Sequence, residues 1–241
     1  MAELVSSGHL TLLALRRWSG SVVEMVEPPV LCRPRLRGVL HQWAFVSSVP
    51  LGLGLVVVAA DARARIAVTV YALSVAALFG TSALYHRIDW RSLTAHLWMR
   101  RLDHSMIFVL IAGTYTPFAL LALHGPLALA ILVVAWVGAL AGIGFNLAWI
   151  GSPTWLHTVL YITLGWVAVA ASPQLAAGIG TEGLALVALG GVLYALGAVV
   201  YAAKRPDPVP SMFGYHEVFH ALVIVAAALQ YAVIAFWIVP N

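Results

Sequence analysis

The 241-residue sequence contains little charge: 9% of its residues are Asp, Glu, Lys or Arg, while 62% are apolar. Soluble domains contain about 25% charged and about 45–50% apolar residues, so this composition cannot supply a surface that faces water. The same imbalance excludes a disordered chain. A single cysteine, Cys32, allows no disulfide within the chain and excludes a disulfide-stapled secreted domain. The composition therefore predicts an integral membrane protein.

Long apolar runs account for most of the chain. A helix needs about 20 mainly apolar residues to cross the hydrocarbon of a bilayer, and period-two alternation, which is typical of transmembrane barrels, is absent. We therefore predict an all-α membrane protein, a seven-transmembrane helix bundle. The predicted spans are residues 39–60, 66–85, 104–123, 126–146, 155–171, 184–203 and 218–239. Pro117 lies inside the third span, where it leaves the carbonyl of Gly113 without its helical donor and predicts a kink.

Lys and Arg are distributed unevenly among the connections between these spans. Eleven of the thirteen lie in the amino-terminal segment, the second connection and the sixth connection: Arg16, Arg17, Arg33, Arg35, Arg37, Arg87, Arg91, Arg100, Arg101, Lys204 and Arg205. The other two, Arg63 and Arg65, lie in the first connection, on the opposite side. Since loops rich in Lys and Arg stay in the cytoplasm, we predict a cytoplasmic amino terminus and an external carboxyl terminus.

This topology gives the chain two parts, a cytoplasmic amino-terminal segment (1–37) and a seven-transmembrane domain (38–241). We expect a multi-pass protein of the plasma membrane. The net charge of +4 then mainly reflects orientation. No basic stripe interleaved with aromatic residues indicates nucleic-acid binding, so we expect no nucleic-acid partner.

Two histidines open the last span at helical spacing. His216 and His220 are four residues apart in the string HEVFH, so they share one helix face, about 6 Å apart along the axis. Desolvating two imidazoles is unfavourable unless they share a partner, and a metal ion is one such partner. Interfacial hydrogen bonding is the alternative. HEVFH also matches the H-E-x-x-H motif of zinc proteases, with Glu217 as general base; otherwise Glu217 faces the headgroups or Arg205.

Three further polar residues fall at the same predicted membrane level. Ser82 and His86 end the second span with the same spacing, and Asp103 precedes the third. Imidazoles combined with a carboxylate or water form the tetrahedral set that zinc favours. Alternatively, Asp103 is solvated or paired with Arg100 or Arg101, and Ser82 is a packing hydroxyl bonded to its own helix.

Four strings resemble motifs of the hemolysin III family, the bacterial relatives of the adiponectin and progestin receptors, in a superfamily that includes alkaline ceramidases. They are PRLRGVLHQ (34–42), SALYHR (82–87), RLDHSMIFVLIAGTYTPF (101–118) and HEVFH (216–220). The resemblance implies seven helices and one zinc ion near the cytoplasmic face. It implies His86, His216 and His220 as ligands, Asp103 as the residue that holds the zinc-bound water, and Ser82 as the family's second-span serine.

These residues favour a zinc-dependent hydrolase acting on an amide or ester of a membrane lipid. Asp103 would take a proton from water, and Ser82 would bond the developing oxyanion or orient a ligand. One alternative is a non-catalytic membrane sensor or receptor with a structural zinc ion. Another is a pore-forming or cytolytic protein, although Gln230 is nearly the only strongly polar residue deep in a span, and transport pathways place polar groups through the membrane.

Overall fold

The computed structural model describes residues 34–149 and 153–240. These residues form helices with short connections, and the described part of the chain contains no β-strand. Seven α-helices follow one another, and three of them continue into a π-helical or 3-10 turn. They are α1 (Val39–Val58), α2 (Ala62–Arg87), α3 (Leu93–Pro117), α4 (Gly125–Ala148), α5 (Thr154–Gly165), α6 (Ser172–Ala203) and α7 (Tyr215–Val233). The all-α prediction is confirmed.

Residues 1–33 of the predicted cytoplasmic segment lie outside the described residues. The rest of that segment, Pro34 to Arg37, runs beside the connection between α6 and α7. There the backbone N–H groups of Arg35 and Leu36 donate to the carbonyls of Ser211 and Met212, both at 3.1 Å. These two bonds fix the chain just before α1 against the chain just before α7.

Helix ends follow local capping chemistry more closely than apolar run length. α2 begins where Asp61 accepts a hydrogen bond from the N–H of Ala64. α3 begins at Leu93, well before the predicted span at 104, because Ser92 caps it by accepting from the N–H of Ala95. Free N–H groups at a helix start favour such side chains. The added turns of α3 place Asp103 inside a helix, not at its start.

Three helices are irregular near a proline or a glycine. After Pro117, α3 continues as the π-helical turn Phe118–Ala122, consistent with the missing proline N–H. α5 continues as the 3-10 turn Trp166–Ala171, and α6 is interrupted at Gly180, whose φ of 71° and ψ of 176° are not helical. The predicted sixth span, 184–203, corresponds to the part of α6 after this interruption.

Apolar side chains cover the outside of the bundle as well as its centre. Trp43, Val57 and Phe236 are 64%, 79% and 70% exposed, which is expected for helices that contact lipid. In the described residues, six helical stretches are long and apolar enough to cross a membrane, and the stretch Thr154–Ala203, which contains α5 and α6, is counted as one. The protein is a multi-pass helical membrane protein.

Polar side chains are nevertheless buried inside the bundle, and most of them gather at one end. The start of α1, the end of α2, the first half of α3 and the start of α7 meet there through His41, Ser82, Asp103 and His220. We call this the histidine end of the bundle.

Candidate metal centre

Three imidazoles from α2 and α7 converge at the histidine end. One nitrogen from each of His86, His216 and His220 lies within 4.8 Å of the other two. The Nε2 atoms of His86 and His216 are 3.1 Å apart. The rings of His216 and His220 approach edge to face, with centroids 4.5 Å apart. The three residues that the resemblance implied as ligands therefore form one cluster.

The three rings lie together because of where they fall on α2 and α7. His86 occupies the last turn of α2, where its side chain is 6% exposed. His216 and His220 lie in the first two turns of α7 and are 6% and 2% exposed. Because α7 begins at Tyr215, before the predicted span at 218, both histidines are helical and their spacing of four puts them on one face.

Asp103 enters the cluster from α3. Its Oδ2 atom lies 3.9 Å from Nε2 of His86, and Ser82 lies beside its carboxyl group. Both residues are largely buried. Asp103 is therefore not solvated, and Ser82 does not bond only to its own helix, because its hydroxyl lies 2.8 Å from Nδ1 of His41 on α1. Their catalytic roles stay predictions.

Glu217 does not face the headgroups or Arg205, and that prediction is wrong. The side chain is fully buried and pairs with Arg37, whose Nε atom lies 2.7 Å from Oε1. Its other oxygen, Oε2, accepts the N–H of Gly214 at 2.8 Å. One carboxylate oxygen therefore attaches the start of α7 to Arg37, just before α1, and the other caps the start of α7 itself. The general-base role of a zinc protease would require this carboxylate to be free for substrate water.

His41 belongs to the same group of side chains, although no spacing pattern in the sequence singles it out. It is 2% exposed, its Nδ1 atom lies 2.8 Å from Oγ of Ser82, and its ring stacks on His220 with centroids 3.7 Å apart. The available signal was its position at the start of the first span, at the predicted level of the other histidines.

Two other histidines at this level form a separate group. The ring centroids of His104 and His157 are 6.0 Å apart. Nε2 of His104 lies 3.4 Å from the hydroxyl of Tyr201, and the hydroxyl of Tyr161 donates to the His104 carbonyl at 3.1 Å. This group adjoins the metal-ligand cluster through Tyr201, whose ring centroid is 5.5 Å from that of His216.

The cluster fits zinc by its donors and its separations. A tetrahedral zinc with bonds of about 2.0–2.1 Å holds nitrogen ligands about 3.3 Å apart, close to the 3.1 Å between His86 and His216. All three ligand nitrogens lie within 4.8 Å of one another, so a short movement of the side chains is enough for them to bind one ion. One nitrogen of His220, Nδ1, is buried without a hydrogen-bond partner among the described residues. A nearby carboxylate adds an oxygen donor.

A bundle of apolar helices with a buried cluster of three histidines and one aspartate at one end defines a class: multi-pass membrane proteins with a candidate metal site. The family model described as "Haemolysin-III related" matches residues 30–231. The chain belongs to that family, as the four motifs predicted.

Individual relatives cover most of the chain. It is 32% identical over 204 residues to the Hemolysin-3 homolog of Bacillus subtilis (strain 168), covering 83% of this chain and 92% of that protein. It is 31% identical over 206 residues to Hemolysin-3 of Bacillus cereus, covering 84% and 90%. A more distant relative is the human Monocyte to macrophage differentiation factor, 27% identical over 176 residues, covering 71% and 70%.

Proposed function

We propose that this protein is a zinc-dependent hydrolase that acts on an amide or ester of a membrane lipid. One observation carries the proposal: imidazole nitrogens of His86, His216 and His220 lie within 4.8 Å of one another, with the Asp103 carboxylate 3.9 Å from His86. Three neutral ligands leave a fourth zinc position open, which is typical of catalytic zinc sites and not of closed structural ones.

The protein groups around the cluster have the chemistry that hydrolysis requires. His86, His216 and His220 would hold the ion, which when bound supplies a Lewis acid that activates water near neutral pH. Asp103 is placed to accept a proton from that water. Ser82, beside Asp103, either stabilises the oxyanion that develops on the substrate or orients the carboxylate. Apolar helix surfaces beside the cluster would accommodate an acyl chain.

The proposed topology has seven spans. At its start, α5 lies at the histidine end, where His157 contacts His104; at its end, the carbonyl of Gly165 accepts from the hydroxyl of Tyr115, near the other end of α3. Late in α6, Tyr201 is again beside His104. α5 and α6 therefore run in opposite directions. The stretch Thr154–Ala203 contains 50 residues, about 75 Å of helix, more than twice the thickness of a bilayer core.

The proposed orientation places the histidine end at the cytoplasmic face. Lys and Arg concentrate in the segments at that end, and Arg63 and Arg65 lie at the other. The amino terminus is then cytoplasmic and the carboxyl terminus external. In this orientation the cluster lies at the depth of the headgroup linkages of the inner leaflet, where the amide or ester bond of a lipid is within its reach.

The test is lipid hydrolysis by purified protein of known zinc content. Wild type, Asp103→Asn and Asp89→Asn are incubated with ceramides and with glycerophospholipids, and fatty-acid release is measured. We expect one zinc per chain in all three proteins and release by wild type. Asp103→Asn should lower the rate about 100-fold or more, the range for loss of a general base. Asp89, exposed in the connection after α2, is the matched control.

Each of the other outcomes has a distinct meaning. Stoichiometric zinc without fatty-acid release from any lipid, together with full cellular function of Asp103→Ala, would overturn the hydrolase and favour a sensor or receptor with structural zinc. Defined single-channel conductance in a planar bilayer would favour the pore-forming alternative. Absence of zinc from wild type would remove the basis of the proposal.

A further inference from the structure

His41 makes contacts with two different members of the candidate centre. Its Nδ1 atom lies 2.8 Å from Oγ of Ser82. Its ring lies nearly parallel to that of His220, with an interplanar angle of 13° and centroids 3.7 Å apart. At 2% exposed, His41 has no access to water that would explain a polar residue in the first turn of α1.

The direction of the hydrogen bond follows from the number of protons available. A serine hydroxyl has one proton to donate, and an ionised carboxylate can only accept. Oγ of Ser82 is the hydrogen-bond partner of Nδ1 of His41 and lies beside the carboxyl group of Asp103. In the arrangement that leaves the hydroxyl proton for that carboxylate, the serine oxygen accepts from His41 and Nδ1 of His41 carries the ring's proton. The other nitrogen, Nε2, has no hydrogen-bond partner among the described residues and, as a bare nitrogen, has no proton to donate.

We propose that His41 is a positioning residue of the metal centre with two separable tasks. Its Nδ1–H holds Ser82 in the orientation that donates to Asp103, which assigns Ser82 to orienting the carboxylate and not to the oxyanion. Its ring packs on His220 and fixes the plane of that proposed ligand. The first task rests on the proposed hydrolase function, whereas the second requires only that the cluster binds zinc.

Surrounding contacts show why the two tasks call for a histidine. Phe79 of α2 also packs against the His41 ring, with centroids 5.0 Å apart, so this ring contacts aromatic side chains of both α2 and α7. A phenylalanine would satisfy this packing, but it cannot donate to Ser82. An asparagine can place an amide near the Nδ1 position but has no ring to stack. Outer residues that orient metal ligands typically change affinity or activity about 10–100-fold when they are replaced.

The experiment compares His41→Phe, His41→Asn and His41→Leu in purified protein. Zinc affinity is measured by competition with a chromogenic chelator, and the hydrolysis rate is expressed per bound zinc. We expect His41→Phe to keep zinc affinity close to wild type while its rate per zinc falls about 10-fold or more. Conversely, His41→Asn should lower zinc affinity about 10-fold and keep most of the rate per zinc. His41→Leu should lose both. If His41 only stabilised the fold, zinc affinity and the rate per zinc would both fall in proportion to the loss of thermal stability.

A double-substitution cycle isolates the hydrogen bond. In a Ser82→Ala background, His41→Phe should have no further effect on the rate per zinc, because the hydroxyl that it orients is gone. The matched control is Ser74→Ala, a buried serine of α2 that donates to the Tyr71 carbonyl, in which His41→Phe should keep its full effect. The first task would be overturned if His41→Phe lowered the rate per zinc equally in the Ser82→Ala and Ser74→Ala backgrounds. It would also be overturned if His41→Asn were as slow per zinc as His41→Leu.

Failure of this inference is distinguishable from failure of the proposed function. If wild type releases no fatty acid, the hydrolase is lost, but chelator competition still tests the ring contact. Indistinguishable zinc affinities for His41→Phe, His41→Leu and wild type would overturn the second task, whatever the activity.

Discussion

The Nε2 atoms of His86 and His216 lie 3.1 Å apart although 130 positions separate the two residues in the chain. Their rings meet edge to face, with centroids 4.6 Å apart and an interplanar angle of 79°. Neither residue's own helix sets this distance. It depends on the end of α2 and the start of α7 reaching the same depth, and it brings two ring nitrogens to the separation expected when both bind one ion.

Metal content should depend on these two residues. His86→Ala and His216→Ala each remove one of three proposed ligands, so we expect purified protein to fall from about one zinc per chain to a small fraction of that. His124→Ala, at a histidine that caps α4 near the opposite end of the bundle, is the control and should keep its zinc. Elemental analysis of the three variants beside wild type is the measurement. Full zinc occupancy in both ligand variants would contradict the site.

Arg37 and Glu217 form a buried ion pair. Removing only one partner should destabilise the protein more than changing both. Arg37→Ala leaves a fully buried carboxylate without its cation, and such losses typically cost about 3–5 kcal/mol. Arg37→Ala combined with Glu217→Gln should be less destabilising than Arg37→Ala alone, because the remaining side chain is neutral and still bonds Gly214. Thermal unfolding in detergent measures both. A double variant that is less stable than Arg37→Ala would show that the charge is not the source of the loss.

Gly38, the residue just before α1, should not tolerate a side chain, whereas a glycine inside α1 should. Gly38 has a φ of 78°, and a Cβ there would lie 2.6 Å from Cβ of His86. Left-handed backbone costs a residue with a Cβ about 1–2 kcal/mol, and the clash would displace His86. We expect Gly38→Ala to lower both the melting temperature and zinc affinity. Gly54, inside α1 with open space around it, is the control: Gly54→Ala should be neutral or stabilising by up to about 1 kcal/mol. Equal melting temperatures and equal zinc affinities for the two variants would refute this account.

The interior of α7 should tolerate loss of polarity but not added charge. Gln230 is 5% exposed, and its amide donates to the Val187 carbonyl at 3.1 Å, while its Oε1 atom has no partner among the described residues. Gln230→Met keeps a similar volume, so we expect a change within about 1.5 kcal/mol. Gln230→Glu places a charge in an apolar span, at a penalty of about 2.5–3.5 kcal/mol on insertion scales. The melting temperature of Gln230→Met should be well above that of Gln230→Glu. The reverse order would show that this part of α7 is hydrated.

Much of the molecule could be predicted from the sequence, and the helices are the clearest case. Composition and run length alone give an all-α membrane protein, and α1, α2 and α4 lie close to the predicted spans. α3 and α6 begin well before their predicted spans, and the start of α3 depends on the cap at Ser92 and not on hydropathy. The spacing of His216 and His220 predicts a shared face because four residues are close to one helical turn. Their predicted membrane level added His86, Asp103 and Ser82, and the motif resemblance implied the roles of these residues.

What the tertiary structure decided is which other polar residues join the cluster. His41 and His104 lie at the starts of the first and third predicted spans, which both begin on the cytoplasmic side, yet His41 stacks on His220 and His104 turns to Tyr201. Glu217 lies next to a proposed ligand but points to Arg37. The sequence could not settle these choices, since a helix that is apolar on every side carries no periodic signal for its inner face. Depth in the membrane can be determined from the sequence by counting residues; rotation of a helix about its axis is set only by the helices packed against it.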